Sequence, residues 1–289
     1  MTGFASARRV REVQDHVRQN LHADLGLEAL AELAGVSRFH FARIFKAHAG
    51  ETLNRFVRRA RLERAAALMR ARPERRLLEV ALDAGFDSAA DFSRVFRQHY
   101  GIAPRSWDRT QRLEAMVPGY EDGLSAARAS CPRLAPVVRR HPACRLAYVR
   151  VATPFLDAEL LEAGYRTLLG WLAARGLDGT LVPLLGMSWD QPETAPLEQI
   201  RFDLALPIPD GLRVEGPVSE LRLPEIRSVE VRVDGELPHV ALAWEHLYEA
   251  WLPASGEAPA DLPAMKRFRR RPEDLGWFRV DLDCCIALD

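Results

Sequence analysis

Ser37-Arg-Phe-His-Phe-Ala-Arg-Ile-Phe-Lys-Ala-His-Ala-Gly50 and Ser88-Ala-Ala-Asp-Phe-Ser-Arg-Val-Phe-Arg-Gln-His-Tyr-Gly101 are two versions of one fourteen-residue segment, 51 positions apart. Six positions are identical: Ser37/Ser88, Phe41/Phe92, Arg43/Arg94, Phe45/Phe96, His48/His99 and Gly50/Gly101. Ile44/Val95 and Lys46/Arg97 are conservative pairs. Upstream, Leu30-Ala-Glu-Leu-Ala-Gly35-Val36 runs parallel to Val80-Ala-Leu-Asp-Ala-Gly85-Phe86, with Asp87 as one extra residue before the second serine. Self-similarity of this kind sets the architecture before any single element is assigned.

Each copy predicts helix, glycine turn, helix. Leu27, Leu30, Ala31 and Ala34 share one helical face, and Gly35 follows where a left-handed cap is needed. Ser37 and Ser88 occupy N-cap positions, and Ser88-Ala-Ala-Asp91 has capping-box spacing with Asp in place of Glu. In the second helix of each copy, Phe41, Ile44 and Phe45, or Phe92, Val95 and Phe96, form the apolar stripe. The opposite face carries Arg38, His40, Arg43 and Lys46, or Ala89, Ala90, Arg94 and Arg97. An apolar back and a small polar front suit a helix that enters a DNA groove.

Between the copies, residues 51–72 contain neither Gly nor Pro and space Leu53, Phe56, Val57, Ala60, Leu62, Ala65 and Leu68 helically. About 20 residues at 1.5 Å each make a rod of roughly 30 Å. Successive major-groove faces on one side of B-DNA lie roughly 34 Å apart, so one chain can reach both. Charge supports this placement. Residues 1–112 hold 21 Lys and Arg against 13 Asp and Glu, a balance of +8, and the remainder holds 19 against 27, or −8. A zero net charge therefore hides a basic front that attracts phosphate and an acidic back that does not.

The length of 289 residues favours two domains. No apolar run approaches the roughly 20 residues of a membrane span, and the first residues lack the apolar core of a secretory signal, which predicts a cytoplasmic protein without membrane contact. Cys131, Cys144, Cys284 and Cys285 show no metal-ligand spacing and are expected to be reduced packing residues. Neither a metal nor a cofactor is expected. No Ser-His-Asp arrangement suggests catalysis, and the chain is not expected to be an enzyme.

Residues 10–110, which carry these motifs, resemble the DNA-binding domain of the AraC/XylS family of transcription regulators. The linker pattern is seen as Arg61-Leu62-Glu63-Arg64-Ala65. The second motif is seen as Gly85-Phe86-Asp87-Ser88, Phe92-Ser93-Arg94-Val95-Phe96-Arg97 and Gly101-Ile102-Ala103-Pro104. The resemblance implies base reading by Arg38, Phe39, Ala42 and Arg43 in the first copy, and by Ala89, Ala90 and Arg94 in the second. His40 and Ser88 complete the expected DNA-binding set, with Lys46 and Arg97 on phosphate. Arg43 and Arg94 suit bidentate contact to guanine. The alanines leave the second copy to thymine methyls or to backbone anchoring, so the two copies should contribute unequally.

Residues 113–140 are rich in Pro, Gly and Ala and predict a linker with a short helix at most. Behind it the pattern changes to a duplicated strand-helix-strand-strand order. The first unit has strands at residues 146–151, 181–189 and 201–207 and a helix at 158–175; the second has strands at 227–233, 265–268 and 278–288 and a helix at 238–251. The chain therefore reads as an all-α front over 8–112, two helix-turn-helix motifs joined by a long helix, followed by an α+β domain over 141–289 with a pseudo-twofold groove. This order resembles the GyrI-like (gyrase-inhibitor-like) ligand-binding domain, with Gly186-Met-Ser-Trp189-Asp190, Arg201-Phe-Asp203 and Pro272-Glu-Asp274 as landmarks.

Tyr148, Trp171, Trp189, Trp244, Lys266, Phe268 and Trp277 are the candidate ligand-binding residues, as aromatics able to line a flat apolar groove together with one lysine. Lys266 stands where cation-binding relatives carry a glutamate. The ligand is then anionic or neutral, or the pocket is vestigial, or Lys266 simply begins a solvated basic strand end with Arg267, Arg269, Arg270 and Arg271. The expected partners are double-stranded DNA and a small-molecule effector. The alternative is a back domain that acts as a protein-contact surface, for example for RNA polymerase, without a ligand.

Overall fold

The structure is a computed structural model, and it describes residues 3–107, 120–131, 133–152, 158–189, 200–276 and 279–289. The front is helical: α1 (Gly3–Gln19), α2 (Leu27–Leu33), α3 (Arg38–Ala49), α4 (Leu53–Ala71), α5 (Leu77–Asp83) and α6 (Ala89–Tyr100). The repeat is reproduced in detail. Ser37 Oγ accepts from the backbone N–H of His40 at 3.4 Å and Ser88 Oγ from that of Asp91 at 3.1 Å. Gly50 and Gly101 close their helices at φ +75° and +74°, a left-handed turn that costs a non-glycine residue about 1–2 kcal/mol.

Each copy has its own phenylalanine core against α4. Phe41, Phe45 and Phe56 pack with ring centroids 5.6 Å apart in succession. Phe86, Phe92 and Phe96 do so at 5.3 and 5.5 Å. The rod expected over 51–72 is α4, whose 19 residues span about 28 Å. Both sides of it are buried, the first turns with the first copy and the later ones with the second.

Behind the front lie α7 (Tyr120–Ser130), β1 (Val137–His141), β2 (Cys144–Ala152), α8 (Ala158–Ala173), β3 (Leu185–Ser188), β4 (Arg201–Pro207), β5 (Ser219–Leu223) and β6 (Ile226–Glu236). There follow α9 (Leu237–Glu245), which continues through a π-helical segment (His246–Trp251) into α10 (Leu252–Ser255), then β7 (Ala264–Phe268), α11 (Pro272–Leu275) and β8 (Arg279–Leu288). The strands form one antiparallel sheet in the order β1-β6-β8-β7-β3-β4-β2-β5. The duplicated units β2-α8-β3-β4 and β6-α9-β7-β8 meet at the β3–β7 pairing, where Gly186 faces Lys266 and Met187 faces Met265. The outer strands are exchanged: β1 precedes the first unit but pairs with the second, and β5 does the reverse.

Two strands lie outside the expected pattern. β1 falls inside the segment read as linker, so the sheet begins before residue 141. Its residues Val137–Arg140 are all exposed, and an edge strand with no buried face offers no alternation to read. β5 is only five residues long and carries two charges.

Alternation divides the sheet into two faces. Val149, Val151, Leu204 and Leu206 pack under α8, and Val229, Val231, Leu282 and Cys284 under α9. The reverse face carries Leu146, Tyr148, Met187, Trp189, Ala205 and Met265. Helix α1 covers part of that reverse face. Its Val10, Val13 and Val17 look into the front core, while Arg11, Gln14, Asp15 and Arg18 reach strands of the sheet or the residue after β3.

Candidate nucleic-acid interface and ligand domain

In α3 the apolar stripe is buried and the opposite stripe is bare: Arg38, Phe39, Ala42, Arg43 and Lys46 are exposed and His40 is half-buried. Phe39 is 76% exposed, the most exposed large apolar side chain among the described residues. The Arg38 guanidinium stands 4.8 Å over its ring and is paired with Glu28 at 2.6 Å. Arg43 Nη2 lies 3.2 Å from His40 Nδ1. Apolar and cationic groups thus share one convex ridge.

The corresponding ridge of α6 exposes Ala90, Arg94 and Arg97, with Ala89 half-buried. Arg94 is paired with Asp91 at 2.5 Å, so the expected reciprocal capping box is absent: Asp91 holds Arg94 rather than the Ser88 backbone. The Ser88 hydroxyl is engaged in the cap itself.

The seven candidate ligand residues are spread over the sheet and its helices. Trp171 on α8 is buried and donates from Nε1 to the Glu215 carbonyl at 2.8 Å. Trp244 on α9 packs on the other half of the core. Lys266 and Phe268 lie on the helix-covered face. Lys266 is 9% exposed, its ammonium 4.9 Å from the Phe202 ring centroid, and burial pulls its pKa below the usual lysine value. It is therefore not part of a solvated strand end, unlike Arg269 and Arg270 after it. The Phe202 ring rests on Gly186, where a Cβ would stand 2.3 Å from the ring tip. The space between α8 and α9 above β3 and β7 is thus taken up at this point by Phe202. Trp277 lies outside the described residues.

Tyr148 and Trp189 are on the reverse face, in a buried network that the sequence reading missed. Asp15 of α1 accepts from Tyr148 Oη at 2.5 Å and from Arg150 Nη2 at 2.7 Å. Arg150 also forks onto Asp203 with two bonds of 2.7 Å, and Trp189 Nε1 donates to Asp203 at 3.0 Å. Arg18 donates to the Trp189 carbonyl at 3.0 Å. Burial raises the Asp15 carboxyl above its ordinary range against the pull of Arg150, and raises the Tyr148 hydroxyl as well. The available signal was a charge in an inward strand slot at both Arg150 and Asp203; nothing in α1 marked Asp15 as their partner.

Comparison with known proteins follows the same division. A helix-turn-helix domain model matches residues 30–110, and a GyrI-like small molecule binding domain model matches residues 135–281, more than half of the chain. The chain belongs to the GyrI-like family. Ahead of its GyrI-like domain it carries an AraC-type helix-turn-helix domain. The Tn10 transposon TetD protein of Escherichia coli is 34% identical over 109 residues, 37% of this chain and 78% of that protein. An uncharacterized HTH-type transcriptional regulator of Haemophilus influenzae is 36% identical over 97 residues, 34% of this chain. The match spans only 32% of that relative's length. An AraC-type transcriptional regulator structure from Chromobacterium violaceum is 28% identical, covering 36% of this chain and 93% of its own, with a TM-score of 0.33. No helix among the described residues is long and apolar enough to cross a membrane.

Proposed function

We propose that this GyrI-like family member is a sequence-specific DNA-binding transcription regulator. Helices α3 and α6 enter successive major-groove segments on one face of the duplex, and the GyrI-like domain senses a small molecule. The observation that carries the DNA reading is the equivalence of α3 and α6. Both are twelve-residue helices with the same serine cap, the same left-handed glycine end and an exposed ridge opposite a buried phenylalanine pair. The regulatory role is supported by the description of the Haemophilus relative, and effector sensing by the description of the matched small-molecule domain.

Base contact falls to Arg38, Phe39 and Arg43 in α3 and to Arg94 in α6. To reach a base edge Arg94 exchanges Asp91, and Arg38 exchanges Glu28, for an acceptor on DNA. Selection from randomised duplexes followed by titration at several salt concentrations tests this. A defined sequence preference is expected, with a steep fall of affinity as salt rises. Equal binding to all duplexes contradicts it. For sensing, a thermal-shift panel of aromatic anions, cations and neutral compounds is expected to contain at least one stabiliser. A panel without one favours a protein-contact surface, for example for RNA polymerase.

A further inference from the structure

Strand β3 is only four residues long and has a different neighbour on each face. On the helix-covered side Gly186 seats the Phe202 ring, which a Cβ at that position would approach to 2.3 Å. Lys266 lies against the same ring, its ammonium 4.9 Å from the centroid. On the reverse side Met187 is fully buried, and the buried Trp189 just after the strand donates from Nε1 to Asp203. Whatever displaces Phe202 therefore bears on a strip of backbone whose other face meets the front of the molecule.

Arg18 of α1 receives that strip. It is buried, and its two terminal nitrogens serve acceptors in different parts of the chain: Nη1 donates to the Trp189 carbonyl at 3.0 Å, and Nη2 to Glu63 of α4 at 2.9 Å. Its guanidinium also stands 5.5 Å from the centroid of the Phe56 ring, which packs on Phe45 of α3 at 5.6 Å. Glu63 is held in turn by Arg59, and Arg59 by Glu51 at the junction of α3 and α4. A planar fork bound at both nitrogens cannot follow one acceptor without pulling on the other. Close-packed interiors transmit such shifts rather than absorb them.

We propose that β3 and Arg18 form the mechanical link between the helix-covered groove and the reading helix α3, with Arg18 as the positioning residue. The inference rests on the effector-sensing reading and gives it a route. A compound entering between α8 and α9 above β3 has to move Phe202, and Phe202 bears on Gly186. Trp189 then draws Arg18 against Glu63 and Phe56, and Phe56 shifts the phenylalanine core on which α3 rests.

The test needs no ligand. Gly186→Ala forces the Phe202 ring aside from within, and Phe202→Leu, which withdraws the ring, is the second perturbation should the first fail to fold. Each is combined in the full chain with Arg18→Met, and separately with Arg70→Met, which breaks the independent contact of α4 with Glu249. Arg18→Lys stands in for Arg18→Met if that variant does not fold, since one ammonium does not reproduce the fork. Two readouts are taken: affinity for a duplex selected from random sequence, and hydrogen exchange of α3. Gly186→Ala is expected to change affinity by at least about threefold and to alter exchange in α3. Both effects are expected to vanish in the Arg18→Met background and to persist in that of Arg70→Met.

No response of α3 to either groove variant, or the same response with and without Arg18, overturns the proposal. Loss of the response in both backgrounds also overturns it, because general loosening of the domains then explains the result. Arg201 at the start of β4 stands 5.0 Å over the Phe56 ring as well, and a response that survives Arg18→Met but not Arg201→Met assigns the route to β4 instead. An exchange response relayed by Arg18 with no change in duplex affinity supports the link and contradicts the DNA reading of α3. Effector sensing itself stands or falls with the compound panel, so its failure is read separately.

Discussion

Arg43 and Lys46 lie on one exposed stripe of α3, three residues apart, yet they are expected to act differently. A planar fork near the middle of the helix can take guanine O6 and N7, whereas an ammonium one turn further on meets phosphate. Arg43→Ala is expected to cost about 1–3 kcal/mol at one base position and to relax preference there, while Lys46→Ala weakens every duplex alike and lowers the salt slope by about one. Titrations over a salt series with matched and mismatched duplexes separate the two; identical effects contradict the assignment. Phe41, two residues before Arg43 and fully buried against Phe45, belongs to stability instead. Phe41→Ala is expected to cost about 3–5 kcal/mol in urea unfolding.

Among the elements, the helical pairs were legible because the sequence states them twice. Ser37 and Ser88 perform the caps that their positions implied, and Gly35 takes the left-handed turn expected of it at φ +64°; the left-handed ends at Gly50 and Gly101 are read from the structure. The glycines also separate two costs. At Gly101, φ is +74° with no atom within 4 Å of a Cβ, so Gly101→Ala pays only the left-handed backbone, about 1–2 kcal/mol. At Gly85, φ is +84° and a Cβ would stand 2.2 Å from the Leu21 carbonyl oxygen. Gly85→Ala is therefore expected to lower the unfolding midpoint clearly more than Gly101→Ala, and equal losses would contradict the packing described.

Strand β1 and the sheet-facing side of α1 were not legible, since each depends on a distant partner. β1 has no inward face of its own, and Asp15 becomes a lock only when Arg150 and Tyr148 arrive from β2. Aromatic content also misled as a guide to one pocket: Trp171, Trp189 and Trp244 spend their area on three separate packing sites. The sequence left Lys266 open between a groove residue and a solvated strand end, because its burial against Phe202 depends on a strand distant in sequence.

At the scale of the whole molecule, the front and the sheet are joined by α1 on one side and by α4 against the π-helical segment on the other, where Arg70 meets Glu249 at 2.7 Å. Asp15→Ala leaves the Tyr148 hydroxyl and one side of Arg150 without their buried acceptor. It is expected to cost about 3–5 kcal/mol and to split a single calorimetric transition into two as the domains uncouple. A single transition at unchanged temperature would show that Asp15 does not hold them together.

On the proposed reading, α4 sets α3 and α6 one helical turn of DNA apart on one face of the duplex. Hydroxyl-radical and methylation footprinting of the full chain on a duplex selected from random sequence tests it most directly. Two protected major-groove segments centred about 10 base pairs apart on the same face are predicted. A single protected segment, or two segments on opposite faces, would contradict it.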